Sequence, residues 1–300
     1  MSLWIFATLA AATFQTLRFM LQKTLASATL SASGATFARF LYSAPLVVAL
    51  LFSYLTFADI PRPSLSLSFW LYGMIGGLSQ IFATVLIVLL FKRRNFAVGT
   101  TFAKTEVILS VLVGILVLGE AVTWLSFLCI LIGVVGVLLL SVAPDGIGWS
   151  ASRIFNRAAG YGLGAGLLFA ISGVTYRAAS LTVASEDPLL RAGVTLAAVT
   201  SFQMCIMALW LYRNEPGEIA RVWAARRTAG YVGLTSMGGS FFWFTAFTLQ
   251  TAAYVKALGQ VELILCLIAS VVFFKETVTR RELAGIGLLL VSILGLVRAI

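Results

Sequence analysis

Two lysines lie inside long apolar stretches of the chain, where a charged side chain needs a specific reason. Lys104 follows about eight residues of the apolar segment that begins at Phe96, which is roughly 12 Å along a helix axis. An ammonium in hydrocarbon is costly, so such a residue usually faces a water-filled cavity or an ion-pair partner. In a cavity it suits a carboxylate. Lys256 lies nearer to the end of its apolar segment, where a long side chain can also reach the membrane surface.

Two glutamates, Glu106 and Glu262, also lie inside apolar segments. Each is either a structural charge, paired with an arginine or with the backbone of a neighbouring helix, or a carboxyl that takes up and releases protons. Glu106 is two residues beyond Lys104, about 200° around an ideal helix, so the two side chains should face opposite sides. The sequence therefore favours a structural role for the glutamates.

Uncharged polar side chains recur at middle depths of several apolar segments. A single Thr can bond a carbonyl of its own preceding turn, and a Trp or Tyr can anchor a helix at the membrane surface. Because these side chains occur on several segments, a polar cavity that binds a small molecule explains them better. With Lys104 and Lys256, the expected lining residues are Gln15, Gln80, Thr84, Thr100, Thr101, Trp243, Tyr254 and Gln260.

The composition places these residues in a lipid bilayer. Hydrophobic residues make up 60% of the chain, charged residues 11%, and the mean hydropathy is +1.02. A helix needs about 20 apolar residues to cross the hydrocarbon core, so a chain of this length has room for roughly ten crossings. The net charge of +10 comes from Lys and Arg in short hydrophilic gaps. Nucleic acid is therefore not an expected partner.

The residue inventory excludes several kinds of site. The chain has no histidine, and its three cysteines lie within apolar segments. Neither a metal centre, a bound cofactor nor a disulfide framework is expected. All aspartates lie outside the apolar segments. An intramembrane enzyme, the alternative from another functional class, would therefore lack its usual acids and bases.

Ten apolar segments are predicted to be membrane-spanning helices of an all-α integral membrane protein. A first five-helix domain is expected at residues 1–143, a linker rich in turn formers at 144–157, and a second five-helix domain at 158–300. The segments are Leu3–Leu21, Ala35–Phe57, Phe69–Phe91, Phe96–Gly119, Val122–Val142, Ala158–Ala179, Pro188–Tyr212, Thr228–Leu249, Ala252–Phe274 and Arg281–Val297.

The two halves resemble each other at a shift of 156 residues. The shift aligns Glu106 with Glu262, and Leu118-Gly119-Glu120 with Phe274-Lys275-Glu276. Each half has five predicted crossings, an odd number, so the second half enters the membrane from the opposite side. We therefore expect two inverted five-helix repeats around a central cavity.

Basic residues are distributed unequally between the two predicted sides of the membrane. The connections after the first, third, fifth, seventh and ninth segments hold thirteen Lys and Arg residues, and the other side holds four. Lys92-Arg93-Arg94 aligns with the uncharged Thr248-Leu249-Gln250, as opposite orientations of two similar halves require. With the positive connections in the cytoplasm, both termini are periplasmic or exterior.

Two pairs of adjacent glycines lie in matching predicted helices, the third and the eighth. They are Gly76 with Gly77, and Gly238 with Gly239. Because adjacent glycines weaken a helix, we expect hinges at these positions.

The Leu118-Gly119-Glu120 ending, its Phe274-Lys275-Glu276 counterpart and the Gly-rich helices after them resemble the ten-helix, EamA-type branch of the drug/metabolite transporter superfamily. Arg39 and Arg191, at equivalent places in the second and seventh helices, are also similar to that pattern. The resemblance covers nearly the whole chain, and within the superfamily the chain looks like the bacterial aromatic-amino-acid exporters. Where the family commonly has a proline in the fourth helix, this chain has Thr105-Glu106.

The resemblance implies a transporter and not an enzyme. It implies an inner-membrane protein that exports amino acids, aromatic ones included, and related small metabolites by alternating access. Physically, Lys104 suits a carboxylate and neutral oxygens suit an ammonium. The alternative within the same class is an exporter of cationic drugs, which would need an acidic cavity. The intramembrane enzyme remains the alternative from another class.

Overall fold

The structure is a computed structural model that describes residues 2–28, 30–91, 103–140, 157–265, 268 and 280–299. These residues form helices and connections, with no strand among them. Within the described residues, the main helices are α1 (Leu3–Ala28), α2 (Ala32–Phe57), α3 (Leu67–Phe91), α4 (Glu106–Leu118), α5 (Trp124–Leu140), α6 (Arg157–Leu181), α7 (Pro188–Asn214), α8 (Glu218–Ala224), α9 (Arg226–Leu249), α10 (Ala252–Gly259) and α11 (Arg280–Ala299).

Side-chain capping sets the start of two helices. Asp187 accepts a hydrogen bond from the Leu189 N–H at 2.9 Å, and Pro188 occupies the first helical position of α7. Ser31 caps α2 in the same way, accepting from the Gly34 N–H at 2.8 Å. The short helix α8 is an addition, since the sequence predicted only a connection there.

Four helices are long and apolar enough to cross a bilayer by length and composition, and shorter apolar helices accompany them. Large apolar side chains point outward, among them Phe57 with 91% and Leu116 with 84% of its surface exposed. Such faces suit lipid tails. The exact number of ten crossings stays a prediction, as do the domain boundaries, because residues 141–156 lie outside the described residues. The four long helices are Leu3–Gln22, Ala32–Phe57, Leu67–Leu90 and Pro188–Asn214.

The helices of the two halves pack against each other in symmetric pairs. α3 packs on α6 while its counterpart α9 packs on α1, and α4 packs on α6 while its counterpart α10 packs on α1. Likewise α2 contacts α9, and its counterpart α7 contacts α3. In addition, α5 packs on its counterpart α11, and α2 packs on its counterpart α7. Most of the principal contacts therefore join one half to the other, while α9 also packs on α6 and α7 within the second half.

The predicted fourth and ninth helices are interrupted at matching places. Lys104 and Thr105 form a turn immediately before α4, and Gln260 forms a turn between α10 and the helical residues 261–265. Gln260 lies 156 residues beyond Lys104, the shift that relates the two repeats. The turn before α4 lies at Lys104–Thr105, without a proline.

The same backbone hydrogen bond tightens both turns. The Val107 N–H donates to the Lys104 carbonyl at 3.4 Å, and the equivalent Leu263 N–H donates to the Gln260 carbonyl at 2.9 Å. Such i to i+3 bonds are typical of a 3₁₀ turn, which rotates the following residues relative to a continuous α-helix. The side chains after each turn are redirected accordingly.

The glycine pairs lie at close contacts between helices. α3 and α9 run without interruption through Gly76-Gly77 and Gly238-Gly239. A Cβ added to Gly76 would lie 2.6 Å from Thr175 Oγ1, and one added to Gly238 would lie 3.0 Å from the Phe14 ring. The missing side chains let α6 approach α3 and α1 approach α9. A hinge role for these glycines stays a prediction.

Candidate functional site

Two ion pairs cross between the repeats at the interrupted helices. Lys104 Nζ lies 3.3 Å from Glu262 Oε2, and Lys256 Nζ lies 3.0 Å from Glu106 Oε2. Each pair takes its lysine from one repeat and its glutamate from the other. The four side chains are between 7% and 15% exposed, so water screens their charges only in part.

The turns at Lys104 and Gln260 explain how these residues meet. On a continuous helix, Lys104 and Glu106 would face opposite sides. The turn at Lys104–Thr105 separates the two, so that both contact the second repeat. The glutamates pair with lysines, which differs from the arginine partners expected from the sequence.

Gln15 of α1 extends the Lys104–Glu262 pair. Its amide Nε2 donates to Glu262 Oε2 at 2.9 Å, and its Oε1 accepts from Trp243 Nε1 at 3.1 Å. The Gln15 amide therefore connects a carboxylate of the second repeat to an aromatic ring of α9. Both residues are among those that the sequence predicted for the cavity.

Three aromatic rings surround the Lys256 ammonium. Its Nζ lies 5.3 Å from the centroids of Phe169 and Trp243 and 5.9 Å from that of Phe247. Each ring presents its negative face to a cation at this distance. The Trp243 and Phe247 rings are stacked, with centroids 5.6 Å apart. The three ring faces and the Glu106 carboxylate together form a cation site, which is occupied by the protein's own Lys256.

Other predicted lining residues lie in separate contacts. Tyr254 accepts from the Thr123 N–H at 3.3 Å, at the start of α5. Gln260 is 3% exposed, and its Nε2 has no hydrogen-bond partner among the described residues. Thr100 and Thr101 lie outside the described residues.

Gln80 belongs to a buried polar cluster between α3, α6 and α7. Its Oε1 accepts from Tyr176 Oη at 3.0 Å and from Gln203 Nε2 at 3.2 Å, while Thr84 donates to the Gln80 carbonyl at 2.8 Å. Gln203 also donates to the Gly77 carbonyl at 2.9 Å. Tyr176 and Gln203 were not among the predicted residues. Their positions inside apolar segments were the available signal.

Two buried arginines were also missed as site residues, Arg18 of α1 and Arg39 of α2. Arg18 donates to Gln15 Oε1 at 3.4 Å, and so adjoins the crossed pairs. Arg39 donates to hydroxyls of α9. An arginine inside an apolar segment, as at Arg18, is a signal of the same kind as Lys104.

The Leu118-Gly119-Glu120 ending closes α4 and fixes an ion pair. Gly119 adopts φ +66°, and its N–H donates to the Ile115 carbonyl at 3.1 Å, as in an αL C-cap. Arg177 Nε then donates to Glu120 Oε1 at 2.7 Å, and Arg177 Nη1 donates to the Phe247 carbonyl at 2.7 Å. This ending thus ties α4 to α6 and α9, which supports a structural role.

The model of the EamA-like transporter family matches residues 2–142 and, a second time, residues 156–298. The chain belongs to this family. As an EamA-like transporter it is a multi-pass membrane protein built from two repeats, of a family that moves small solutes. Within the described part of the chain, no group of three or more His, Cys, Asp or Glu side chains is placed to hold a metal ion.

The EamA-like fold also has a counterpart among solved structures. One crystal structure aligns with 96% of this chain and 98% of its own, with a TM-score of 0.65 and 18% sequence identity. At that identity the likeness concerns the fold alone. No curated protein matches this EamA-like transporter.

Proposed function

We propose that the protein exports amino acids, aromatic ones included, and related small metabolites across the inner membrane by alternating access. The observation that carries the proposal is the crossed arrangement of Lys104–Glu262 and Lys256–Glu106. It offers both signs of charge at the junction of the two repeats. The proposed topology has ten crossings in two inverted halves, with both termini periplasmic or exterior.

A zwitterion fits this junction because it can exchange with internal ion pairs. The ammonium of an amino acid can replace a lysine at a glutamate, and its carboxylate can replace a glutamate at a cation. The number of buried charges of each sign stays matched during such an exchange, which limits the desolvation cost. A neutral sugar or an alkane gains nothing comparable at this site.

The rings near Lys256 supply the apolar part of the site. Phe169, Trp243 and Phe247 lie beside the Lys256–Glu106 pair. An aromatic side chain can stack on such rings, and aromatic pairs contribute about 0.5–1.5 kcal/mol beyond their buried area. This arrangement supports aromatic amino acids as part of the substrate range.

The crossed pairs also give alternating access a physical basis. Each pair holds one repeat to the other, so rocking of the repeats requires that the pairs lengthen. A zwitterion that takes over one partner of each pair lowers the cost of that step. Solute binding and the opening of the repeats are then coupled through the same four side chains.

The interior charges disfavour the cationic-drug alternative. Among the described residues of the helix bundle around the site, Arg18, Arg39, Lys104 and Lys256 carry positive charge, and Glu106 and Glu262 carry negative charge. Positive charges therefore exceed negative ones, and a lipophilic cation would be repelled. An amino acid brings a carboxylate that offsets the excess.

Counterflow in proteoliposomes tests the proposal. Vesicles loaded with unlabelled phenylalanine should accumulate labelled phenylalanine, and tryptophan should compete, whereas phenethylamine and ethidium should not. The double variant Glu106→Gln/Lys256→Gln is the matched negative control. It removes the charges of one crossed pair but keeps the side-chain volumes near those of the parent. Accumulation of ethidium and not of phenylalanine would establish the cationic-drug alternative. Chemical conversion of the solute would establish an enzyme.

A further inference from the structure

Two arginines are buried on neighbouring helices near the crossed pairs. Arg18 of α1 is 3% exposed and Arg39 of α2 is 2% exposed. Arg18 lies within electrostatic range of Arg39 and of Glu262. Two like charges in the interior of a membrane protein repel each other and lose their hydration, so they require compensation.

The packing of α1 against α2 places the two arginines at the same depth. Gln22 Nε2 donates to the Ala35 carbonyl at 3.2 Å, which fixes the register of this helix pair. Arg18 is one turn before Gln22, and Arg39 is one turn after Ala35. In an antiparallel pair, one turn back on the first helix lies opposite one turn forward on the second.

Contacts with α9 bring Arg39 to the same region as Gln15. Arg39 Nε donates to Ser236 Oγ at 2.7 Å, and Arg39 Nη2 donates to Ser240 Oγ at 3.0 Å. Between these two serines, a Cβ on Gly239 would lie 3.6 Å from the Gln15 N atom, so α1 and α9 touch here. Arg18 is one turn beyond Gln15 on α1.

All the hydrogen-bond acceptors that the structure gives these arginines are neutral. Gln15 and two serine hydroxyls receive their hydrogen bonds. Arg18 Nε and Arg39 Nη1 are buried and have no hydrogen-bond partner among the described residues. Glu262, the carboxylate within range of Arg18, already accepts from Lys104 and Gln15. Both guanidinium groups therefore retain unused donors, although each also lies over an aromatic ring, that of Phe19 for Arg18 and that of Phe40 for Arg39.

We propose that Arg18 and Arg39 form an anion-binding site, separate from the crossed pairs, that holds a singly charged anion with the unused donors of both guanidinium groups. Guanidinium groups form strong charge-assisted bonds with carboxylates. The ligand chemistry is that of a carboxylate, on the transported solute, or of a small inorganic anion such as chloride. The solute assignment rests on the proposed function, whereas the anion site itself does not.

The proposal divides the recognition of a zwitterion between two places. The carboxylate lies at Arg18 and Arg39, and the ammonium lies at the glutamates of the crossed pairs. Gln15 lies between them, because it contacts both Arg18 and Glu262. Lys104 is then a partner of Glu262 and not the main carboxylate ligand, which differs from the role that its depth alone suggested.

Thermal unfolding of the protein in lipid nanodiscs tests the anion site without any transport assay. In a low-salt zwitterionic buffer, phenylacetate, which has a carboxylate and no ammonium, should raise the melting temperature saturably. Phenethylamine, which has the ammonium alone, should not compete with it. Competition between chloride and phenylacetate distinguishes the two sources of the anion. Displacement of phenylacetate by chloride at millimolar concentration would assign an inorganic anion to the same site.

Substitutions of the two arginines test whether phenylacetate binds at them. Arg18→Gln and Arg39→Gln should each weaken phenylacetate binding by about tenfold or more, the loss of one charged hydrogen bond. Arg39→Lys should keep part of the affinity. Arg62→Gln is the matched control, since Arg62 is exposed and its guanidinium lies over the Phe52 ring, away from Arg18 and Arg39 in the sequence. It should bind phenylacetate like the parent.

The melting temperature without ligand separates this role from a structural one. An arginine kept for an anion should be neutral or destabilising in its absence, so Arg18→Gln should melt no lower than the parent. Equal phenylacetate and chloride binding by the parent, Arg18→Gln and Arg39→Gln would overturn the proposal. Anion binding that depends on the arginines, together with no amino-acid flux, would keep the site and remove the proposed function.

Discussion

Lys256 Nζ lies 3.0 Å from Glu106 Oε2, so a lysine of the second repeat neutralises a glutamate of the first. In the second pair the repeats exchange roles: Lys104 Nζ of the first repeat lies 3.3 Å from Glu262 Oε2 of the second. Because the residues of each pair lie at least 150 positions apart in the chain, these bonds report the docking of the two repeats. Variants of the paired residues therefore probe that docking.

A double-variant cycle should detect the Lys256–Glu106 pair as a coupled unit. Glu106→Gln leaves the ammonium buried without its carboxylate, which should lower the stability by about 3–5 kcal/mol. Glu106→Gln/Lys256→Gln should recover part of that loss, because no unpaired charge remains. Denaturation of the purified protein measures all the variants, and strictly additive losses would show that the two charges are independent.

Lys104→Ala should reduce transport far more than it reduces stability. Glu262 keeps the hydrogen bond from Gln15 at 2.9 Å, so its charge is still partly satisfied when Lys104 is absent. Lys256→Ala should do less to the flux and more to the melting temperature, because Lys256 also contacts three rings. Counterflow and melting are measured on the same preparations. Unchanged flux with a lower melting temperature for Lys104→Ala would make Lys104 purely structural.

Trp243→Ala should lower the affinity for large apolar or aromatic amino acids more than for small ones. The substitution removes the ring that stacks on Phe247 and also the hydrogen bond to Gln15. Trp243→Phe keeps a ring and should retain most of the discrimination, whereas Gln260→Ala should weaken all amino acids similarly. Competition by phenylalanine and by alanine measures the difference. An equal loss for both with Trp243→Ala would remove Trp243 from the side-chain pocket.

Gly76→Ala should destabilise the contact between α3 and α6. The added methyl would lie 2.6 Å from Thr175 Oγ1 and 2.6 Å from the Tyr176 ring. Overpacking of this kind costs typically about 1–3 kcal/mol. Gly160→Ala is the control, since a Cβ there meets nothing within 4 Å. A flux loss without a change in melting temperature would point to the hinge role instead.

The topology has its own test. A reporter that is active only in the cytoplasm should be inactive when fused after Ile300, because the basic connections favour periplasmic or exterior termini. A reporter active only in the periplasm should work at the same position. Activity of the cytoplasmic reporter alone would reverse the proposed orientation.

The amino-acid sequence by itself determined most of the helices and the duplication. The predicted segment at Pro188 begins where α7 begins, and the segment at Phe69 starts two residues inside α3. These features are local, because a run of apolar residues and a capping side chain act within a few turns of the backbone. The family match at residues 2–142 and 156–298 agrees with the duplication that the shift of 156 residues indicated.

Only the tertiary structure decided which charges meet. An ideal helix separates Lys104 from Glu106, and it took the turn at Thr105 and the packing of α10 on α4 to bring both toward the second repeat. The neighbourhood of Arg18 and Arg39 likewise depends on the register of α1 against α2. Such pairings join residues far apart in the chain, and their energies depend on burial that only the assembled helices create. Hydropathy records how deep a side chain lies in the membrane but not which side chain lies beside it.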